Sequence, residues 1–204
     1  MFTGLIREMA TVQTYRNNEL TLKASYVPKI GDSIAINGAC LTVVKLQHGS
    51  FTVELSPETQ AYIATENLKG KVHIEPAMQM GERFEGHIVQ GHVDCLGEVT
   101  EIKDNGNSVD FFISIPEEHR RFLIPKGSVT VDGVSLTINE VTETGFRLTI
   151  IPHTMKESLF GSYTRGHKVN IETDMFARYI YHLFNPEKKA SVSWADIDKI
   201  AALY

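Results

Sequence analysis

The chain has 204 residues, 42% hydrophobic and 22% charged, with a net charge of −5 and a pI near 5.9. That length suits two small domains or one large one, and the acidic balance argues against a nucleic-acid partner, which needs a basic surface. No apolar run reaches the ~18 residues of a membrane span, Met1 to Glu8 does not read as a signal peptide, and two cysteines, Cys40 and Cys95, are too few for a disulfide framework; a cytoplasmic protein is expected.

Nearly all of the first ninety residues read as short strands. Asp32-Ser33-Ile34-Ala35-Ile36-Asn37-Gly38-Ala39-Cys40-Leu41-Thr42-Val43 is strand, tight turn, strand. Ile34 and Ile36 alternate with small or polar residues, and Asn-Gly is a strong hairpin signal because a type I′ turn needs positive φ at both central residues. After the turn Leu41 and Val43 share one face, Cys40 and Thr42 the other. Phe51, Val53 and Leu55 alternate next, and a short helix is expected between Glu58 and Leu68. Met80 to Gly86 connects the two halves.

The second half repeats the first. Gly127-Ser128-Val129-Thr130-Val131-Asp132-Gly133-Val134-Ser135-Leu136-Thr137-Ile138 matches the first hairpin with four identities and five close swaps in twelve positions. The hairpins are offset by 95 residues, and so are Leu55–Thr59 and Ile150–Thr154. Phe2–Ile6 aligns with Val89–Val93 at an offset of 87, and Gly70–Glu75 resembles Gly166–Glu172. Similar motifs in the same order mark a duplicated domain of roughly ninety residues. Evenly spaced short strands with turn signals suggest a sandwich or closed barrel. Met155–Phe160 is expected to hold a short helix, and Asp174–Phe184 has helical spacing ended by Asn185-Pro186. Ser193 caps a last helix with Trp194, Ile197, Ala201 and Tyr204 on one stripe, packed on its own domain or on a second copy of the chain.

The duplication makes differences between the halves informative. Cys40 faces Ser135, Leu5 faces His92, and Gly31 faces Lys126 across the repeat. Taken alone, each has an ordinary explanation: a small buried thiol, strand-borne histidines at His87 and His92, a solvated lysine. The spacing of His87 and His92 does not make a metal site, and there is no phosphate-binding glycine loop. Gly91 permits close backbone approach. Thr59 and Thr154 occupy equivalent places, which points to a shared role.

The motifs Met1-Phe2-Thr3-Gly4, Asn37–Val43, Gly86-His87-Ile88-Val89-Gln90-Gly91-His92-Val93-Asp94 and Lys126–Val129 followed by Asp132–Thr137, in this order, resemble the riboflavin synthase family of the alpha-chain type. The resemblance covers essentially the whole chain. It implies an all-β fold of two similar six-stranded Greek-key β-barrels from internal duplication plus a C-terminal α-helix, divided as 1–86, 87–186 and a trimerisation helix over 187–204. It implies a transferase, with no external cofactor and no metal. Two molecules of 6,7-dimethyl-8-ribityllumazine exchange a four-carbon unit, giving riboflavin and 5-amino-6-ribitylaminouracil. The site is implied to lie between subunits of a homotrimer. Carried over by position, Gly4, Leu5, Ile6, Cys40, Leu41, Thr42 and Glu54, Leu55, Ser56, Pro57, Glu58, Thr59 line the first-barrel site. Gly91, His92, Val93, Lys126, Ser135, Leu136, Thr137 and Ile151, Pro152, His153, Thr154, Met155, Lys156 line the second, with Asp174 nearby. Ser33, Cys40, His92 and Ser135 are the implied catalytic residues. The rival readings are a non-catalytic lumazine- or flavin-binding protein of the same fold and, from another class, a barrel for single-stranded nucleic acid, which would want a basic groove with stacking aromatics.

Overall fold

The structure, a computed structural model, describes residues 1–185. The expected helix over 187–204 and its Trp194 stripe lie outside the described residues.

The first unit comprises β1 (Glu8–Arg16), β2 (Glu19–Lys23), β3 (Ser33–Ile36), β4 (Ala39–Gln47), β5 (Ser50–Glu54), α1 (Pro57–Tyr62) and β6 (Lys71–Pro76). The second comprises β7 (Cys95–Asp104), β8 (Val109–Ser114), α2 (Glu117–Arg120), β9 (Ser128–Val131), β10 (Val134–Thr137), β11 (Glu140–Val141), β12 (Gly145–Ile150), α3 (Pro152–Glu157) and β13 (Lys168–Thr173), with α4 (Met175–Phe184) after it. The first six strands close into a barrel in the order β1-β2-β5-β4-β3-β6. The second unit forms a seven-stranded sheet, β10-β9-β13-β7-β8-β12-β11. Its end strands are two pieces of one strand, interrupted at Ile138-Asn139, so its order is that of the first barrel.

The interruption has a counterpart in the first unit. Strand β4 carries an irregularity between Val43 and Lys45 against β5, which places the extra residue at Val44, 95 positions before Asn139. Asn139 still bridges to β12: its N–H donates to the Arg147 carbonyl at 2.9 Å, and its Oδ1 accepts from the Thr149 N–H at 2.7 Å. A side-chain acceptor there replaces part of the ladder, so a bulge in one unit becomes a break in the other. A second irregularity, between Val12 and Thr14 in β1, recurs between Val99 and Glu101 in β7.

Each unit has its own core. Leu20, Leu22, Ile34, Phe51, Val53, Val72 and Ile74 fill the first, and Phe111, Ile113, Val129, Val131, Phe146, Leu148 and Ile171 the second. Both hairpin turns are type I′ in φ, 43° and 83° at Asn37-Gly38 and 45° and 82° at Asp132-Gly133. The turns meet back to back. A Cβ on Gly38 would lie 2.8 Å from Gly133 N, and one on Gly133 2.8 Å from Gly38 N.

Hydrogen bonds around this contact obey the same pseudo-twofold symmetry. His73 and Asn170 are equivalent residues of β6 and β13. The His73 N–H donates to Asn37 Oδ1 and the Asn170 N–H to Asp132 Oδ1, both at 2.8 Å. His73 Nδ1 pairs with the Asp132 carbonyl at 2.8 Å while the Leu159 N–H donates to its Nε2 at 2.8 Å. Asn170 Nδ2 donates to the Asn37 carbonyl at 2.8 Å, and its Oδ1 accepts from the Ala64 N–H at 2.7 Å. The imidazole thus does the work of a side-chain amide, donating at one end and accepting at the other. Burial holds His73 down to about 4, so it is neutral and can accept from Leu159.

Asp132 is the odd member, a carboxyl where the first unit has Asn37. Burial pushes it up to about 7, opposed by the Tyr163 hydroxyl and the Asn170 N–H donating to it. The folded value lies above the ordinary 3.8, so its contribution is full below that pH and is lost as pH rises through about 7. Asp132→Asn removes the titration. Relative to wild type, the variant should gain about 1.4 kcal/mol per pH unit between pH 4 and 7 and level off above. Urea unfolding across that range would disprove this if the difference stayed flat.

Candidate active site

Two cavities are related by the duplication, and they are lined by equivalent residues. One, of about 230 Å³, is formed by Ala39, Cys40, Glu58, Thr59, Tyr62 and Ile63 with Gly91, His92 and Val93. The other, of about 210 Å³, is formed by Val134, Ser135, Leu136, His153, Thr154, Glu157 and Ser158 with Gly4, Leu5 and Ile6. In each, the start of a hairpin strand and a short helix supply one wall. Cys40 and Ser135 open β4 and β10 on the face away from the core, because Leu41 must point inward. Helix α1 is fixed by Ser56, whose hydroxyl accepts from the Thr59 N–H at 3.0 Å, with Pro57 in the first turn.

The opposite wall is exchanged between the units. The resemblance groups Gly4–Ile6 with Cys40 and Gly91–Val93 with Ser135; the structure does the reverse. The Ser135 N–H donates to the Gly4 carbonyl, and the Cys40 N–H to the Gly91 carbonyl, both at 2.8 Å. Ile6 packs on the second core and Val93 on the first. The crossing segments bridge to each other at Phe2 and Val89. Only glycine fits at the crossings: φ is +80° at Gly4 and +78° at Gly91, and an added Cβ would lie 2.5 Å from Ser135 Cβ or 2.7 Å from Cys40 Cβ.

Two buried carboxylates hold these segments. Glu75 of β6 accepts from the Thr3 N–H and hydroxyl, at 2.7 and 2.8 Å, and from the Gly4 N–H at 3.0 Å. Glu172 of β13 accepts from the N–H groups of Gln90, Gly91 and His92 at 2.7, 2.8 and 3.0 Å. Burial raises Glu75 and pushes Glu172 up to about 7, against the pull of those donors. The sequence shows only a Glu at the end of each β6-type strand; its partner segment lies about 70–80 residues away.

His87 is the residue that sequence reasoning gave only a structural role. Its Nδ1 lies 2.6 Å from Ser135 Oγ and its Nε2 3.3 Å from Thr130 Oγ1. Burial lowers its pKa, with the Asp174 charge working the other way. A neutral imidazole is thus aimed at the hydroxyl that lines the second cavity.

The remaining sequence-predicted residues are placed as follows. Ser33 pairs with Thr42 across β3 and β4, two residues along from the Ala35–Cys40 pair, and Thr42 pairs with Glu54. Leu41, Thr42, Glu54, Leu55, Ser56 and Pro57 lie outside the first cavity's lining, with Leu41 and Leu55 buried in the core. Thr137, Lys126, Ile151, Pro152, Met155 and Lys156 lie outside the second, Met155 packing on the core and Lys156 3.8 Å from Glu157. Lys126 takes a φ of +65°, where the first unit has Gly31 at +90°. Asp174 caps α4, accepting from the Phe176 N–H at 2.7 Å.

A duplicated barrel with one recognition cavity per unit, completed by its twin, defines a lumazine-binding type of protein: the family model described as "Lumazine binding domain" matches residues 3–77 and 90–174. The fold resembles crystal structures of LumP complexed with riboflavin and with 6,7-dimethyl-8-(1′-D-ribityl) lumazine. Their TM-scores are 0.76 and 0.72 at 18% and 19% identity, over 85% of this chain and 99% of each of those chains. Riboflavin synthase of Photobacterium phosphoreum is 44% identical over 94% of both chains, and that of Bacillus subtilis 42% identical over 91% of this chain and 90% of its own. The chain belongs to the riboflavin synthase family.

Proposed function

We infer that the chain dismutates 6,7-dimethyl-8-ribityllumazine: one molecule gives its four-carbon unit to another, producing riboflavin and 5-amino-6-ribitylaminouracil. The observation that carries this is the pair of cavities. They share a scaffold, as two copies of one substrate require, but differ where donor and acceptor must differ. Cys40 and His92 line one; Ser135, with His87 behind it, and Leu5 line the other. Catalysis then rests on holding two ring systems in contact and on donors aimed at the ring anion formed when a 7-methyl proton leaves. The units 1–86 and 87–186 are the two binding modules, and 187–204 is the assembly element. Lys126, Thr137, Ser33, Asp174 and the rest of the carried-over set contribute once a neighbouring subunit completes the site. Helix α4 supports an assembly, here a homotrimer, because Phe176, Tyr179, Ile180, Leu183 and Phe184 are all exposed. Two unpaired thiols suit a reducing cytoplasm.

The test is direct: protein and lumazine alone, with no added cofactor, should lose two lumazines for each flavin that appears. Binding without turnover would favour the non-catalytic reading. Cys40→Ser makes the first cavity resemble the second at this position. We expect lumazine binding to be kept while kcat and kcat/KM fall together, by on the order of 10²-fold. Turnover at the wild-type rate would reduce Cys40 to a wall residue. Removing residues 187–204 should leave mostly monomer by light scattering; a stable trimer would count against the assigned assembly role.

A further inference from the structure

The two crossing segments are held unequally. Glu75 alone, among the described side chains, grips residues 3–5 of the first segment. The second segment has Glu172 and a further tier. Arg178 of α4 donates through Nη1 to Asp94 Oδ1 at 2.7 Å and through Nη2 to Gln90 Oε1 at 2.9 Å. Asp94 is itself fixed, its Oδ2 accepting from the Thr173 N–H at 2.7 Å and hydroxyl at 2.6 Å. The ion pair is largely shielded, with side-chain exposures of 26% for Arg178 and 12% for Asp94. One guanidinium thus clamps both ends of Gln90-Gly91-His92-Val93-Asp94, while Glu172 holds its middle. At the position of Asp94 the first unit has Arg7, and its β6 runs into the exposed linker rather than into a helix.

We propose that Arg178 is a positioning residue for one cavity only: it fixes the Gly91–Val93 wall, and with it His92, against Cys40, and has no part in the Ser135 cavity. The inference deepens the lumazine reading, because it assigns the two ligands of one chain different dependence on α4. Its geometry favours Arg over Lys, since the guanidinium spreads its donors over two nitrogens, Nη1 for the Asp94 carboxylate and Nη2 for the Gln90 amide oxygen. The same contact lies within reach of the Glu172 charge, which the guanidinium stabilises.

The experiment uses Arg178→Met, which keeps the aliphatic stem, and Arg178→Lys, which keeps one charge. Amide hydrogen exchange provides an internal control. The Gly91 and His92 N–H groups should exchange faster in Arg178→Met, while those of Thr3 and Gly4 keep wild-type protection. Fluorescence titration with 6,7-dimethyl-8-ribityllumazine should show one of two sites per chain weakened by about tenfold or more, the scale of a lost charge-assisted hydrogen bond. Arg178→Lys should fall between wild type and Arg178→Met. Asp94→Asn should act at the same site, and combining it with Arg178→Met should add little. Unchanged exchange at Gly91 and His92, or equal loosening of both segments, would overturn the proposal. A wild-type protein that binds no lumazine would sink the functional reading instead, and the exchange data would still decide the role of Arg178.

Discussion

Gly91→Ala is expected to abolish most turnover while the protein still folds with reduced stability. The added methyl would stand 2.7 Å from Cys40 Cβ, 2.9 Å from Phe2 Cε2 and 3.0 Å from Cys40 N. None of these is the loose end of a flexible chain. Phe2 is fully buried between the barrels, and the Cys40 N–H is already bonded to the Gly91 carbonyl. The φ of +78° adds its own penalty, about 1–2 kcal/mol for a residue with a Cβ. Overpacking contributes a further ~1–3 kcal/mol. The strain is relieved by moving the segment away from β4, which carries His92 off its wall. A shift of about 1 Å in a positioned group can cost on the order of 10²-fold in rate. Steady-state turnover and urea unfolding together check this. If activity survived with wild-type stability, the crossing would not be as tight as described. Gly4→Ala should instead press on Ser135.

His87→Gln is expected to leave the fold in place and lower kcat by about 10²–10⁴-fold, the range for loss of a proton-transfer group. With the proton on Nε2 toward Thr130, Nδ1 accepts from the Ser135 hydroxyl at 2.6 Å, so a substrate proton taken up by that hydroxyl can be passed on to the imidazole as the hydroxyl gives up its own. Glutamine offers a polar atom but cannot cycle a proton. The pH profile separates this role from packing. Burial lowers the His87 pKa, so the acid limb of kcat should lie below the ordinary value of 6.5. That limb should vanish in the glutamine variant. A profile identical in both proteins would assign His87 to structure alone.

The fold was legible because the duplication prints the same signals twice. Asn37-Gly38 and Asp132-Gly133 form the expected turns, and the Leu41/Cys40 alternation places the thiol outward. The helix stopped by Asn185 follows the same local rules, whereas α1 and α3 begin one and three residues earlier than expected, at Pro57 and Pro152, because proline suits the first turn of a helix. What was not legible lies in contacts between distant residues. Glu75 and Glu172 read as polar residues ending strands, yet each holds a segment that completes the other unit's cavity. Alignment equates Leu5 with His92 correctly but says nothing of which barrel each faces. His87 reads as one of two strand-borne histidines, and its pairing with Ser135, 48 residues on, is not visible in the local pattern. The break at Asn139 was hidden because side-chain bridging to β12 leaves the alternation nearly intact.

Gly38 and Gly133 stand against each other where the two hairpin turns meet. The two turns touch through backbone alone, so no rotamer can absorb a change in their spacing. Around them the side chains of His73 and Asn170 tie each barrel to the other's main chain, at the Asp132 and Asn37 carbonyls. Met78 to Gly86, by contrast, runs exposed over the surface. The spacing of the two cavities is therefore set by a rigid joint where the turns meet, and the covalent link between the halves acts as a tether.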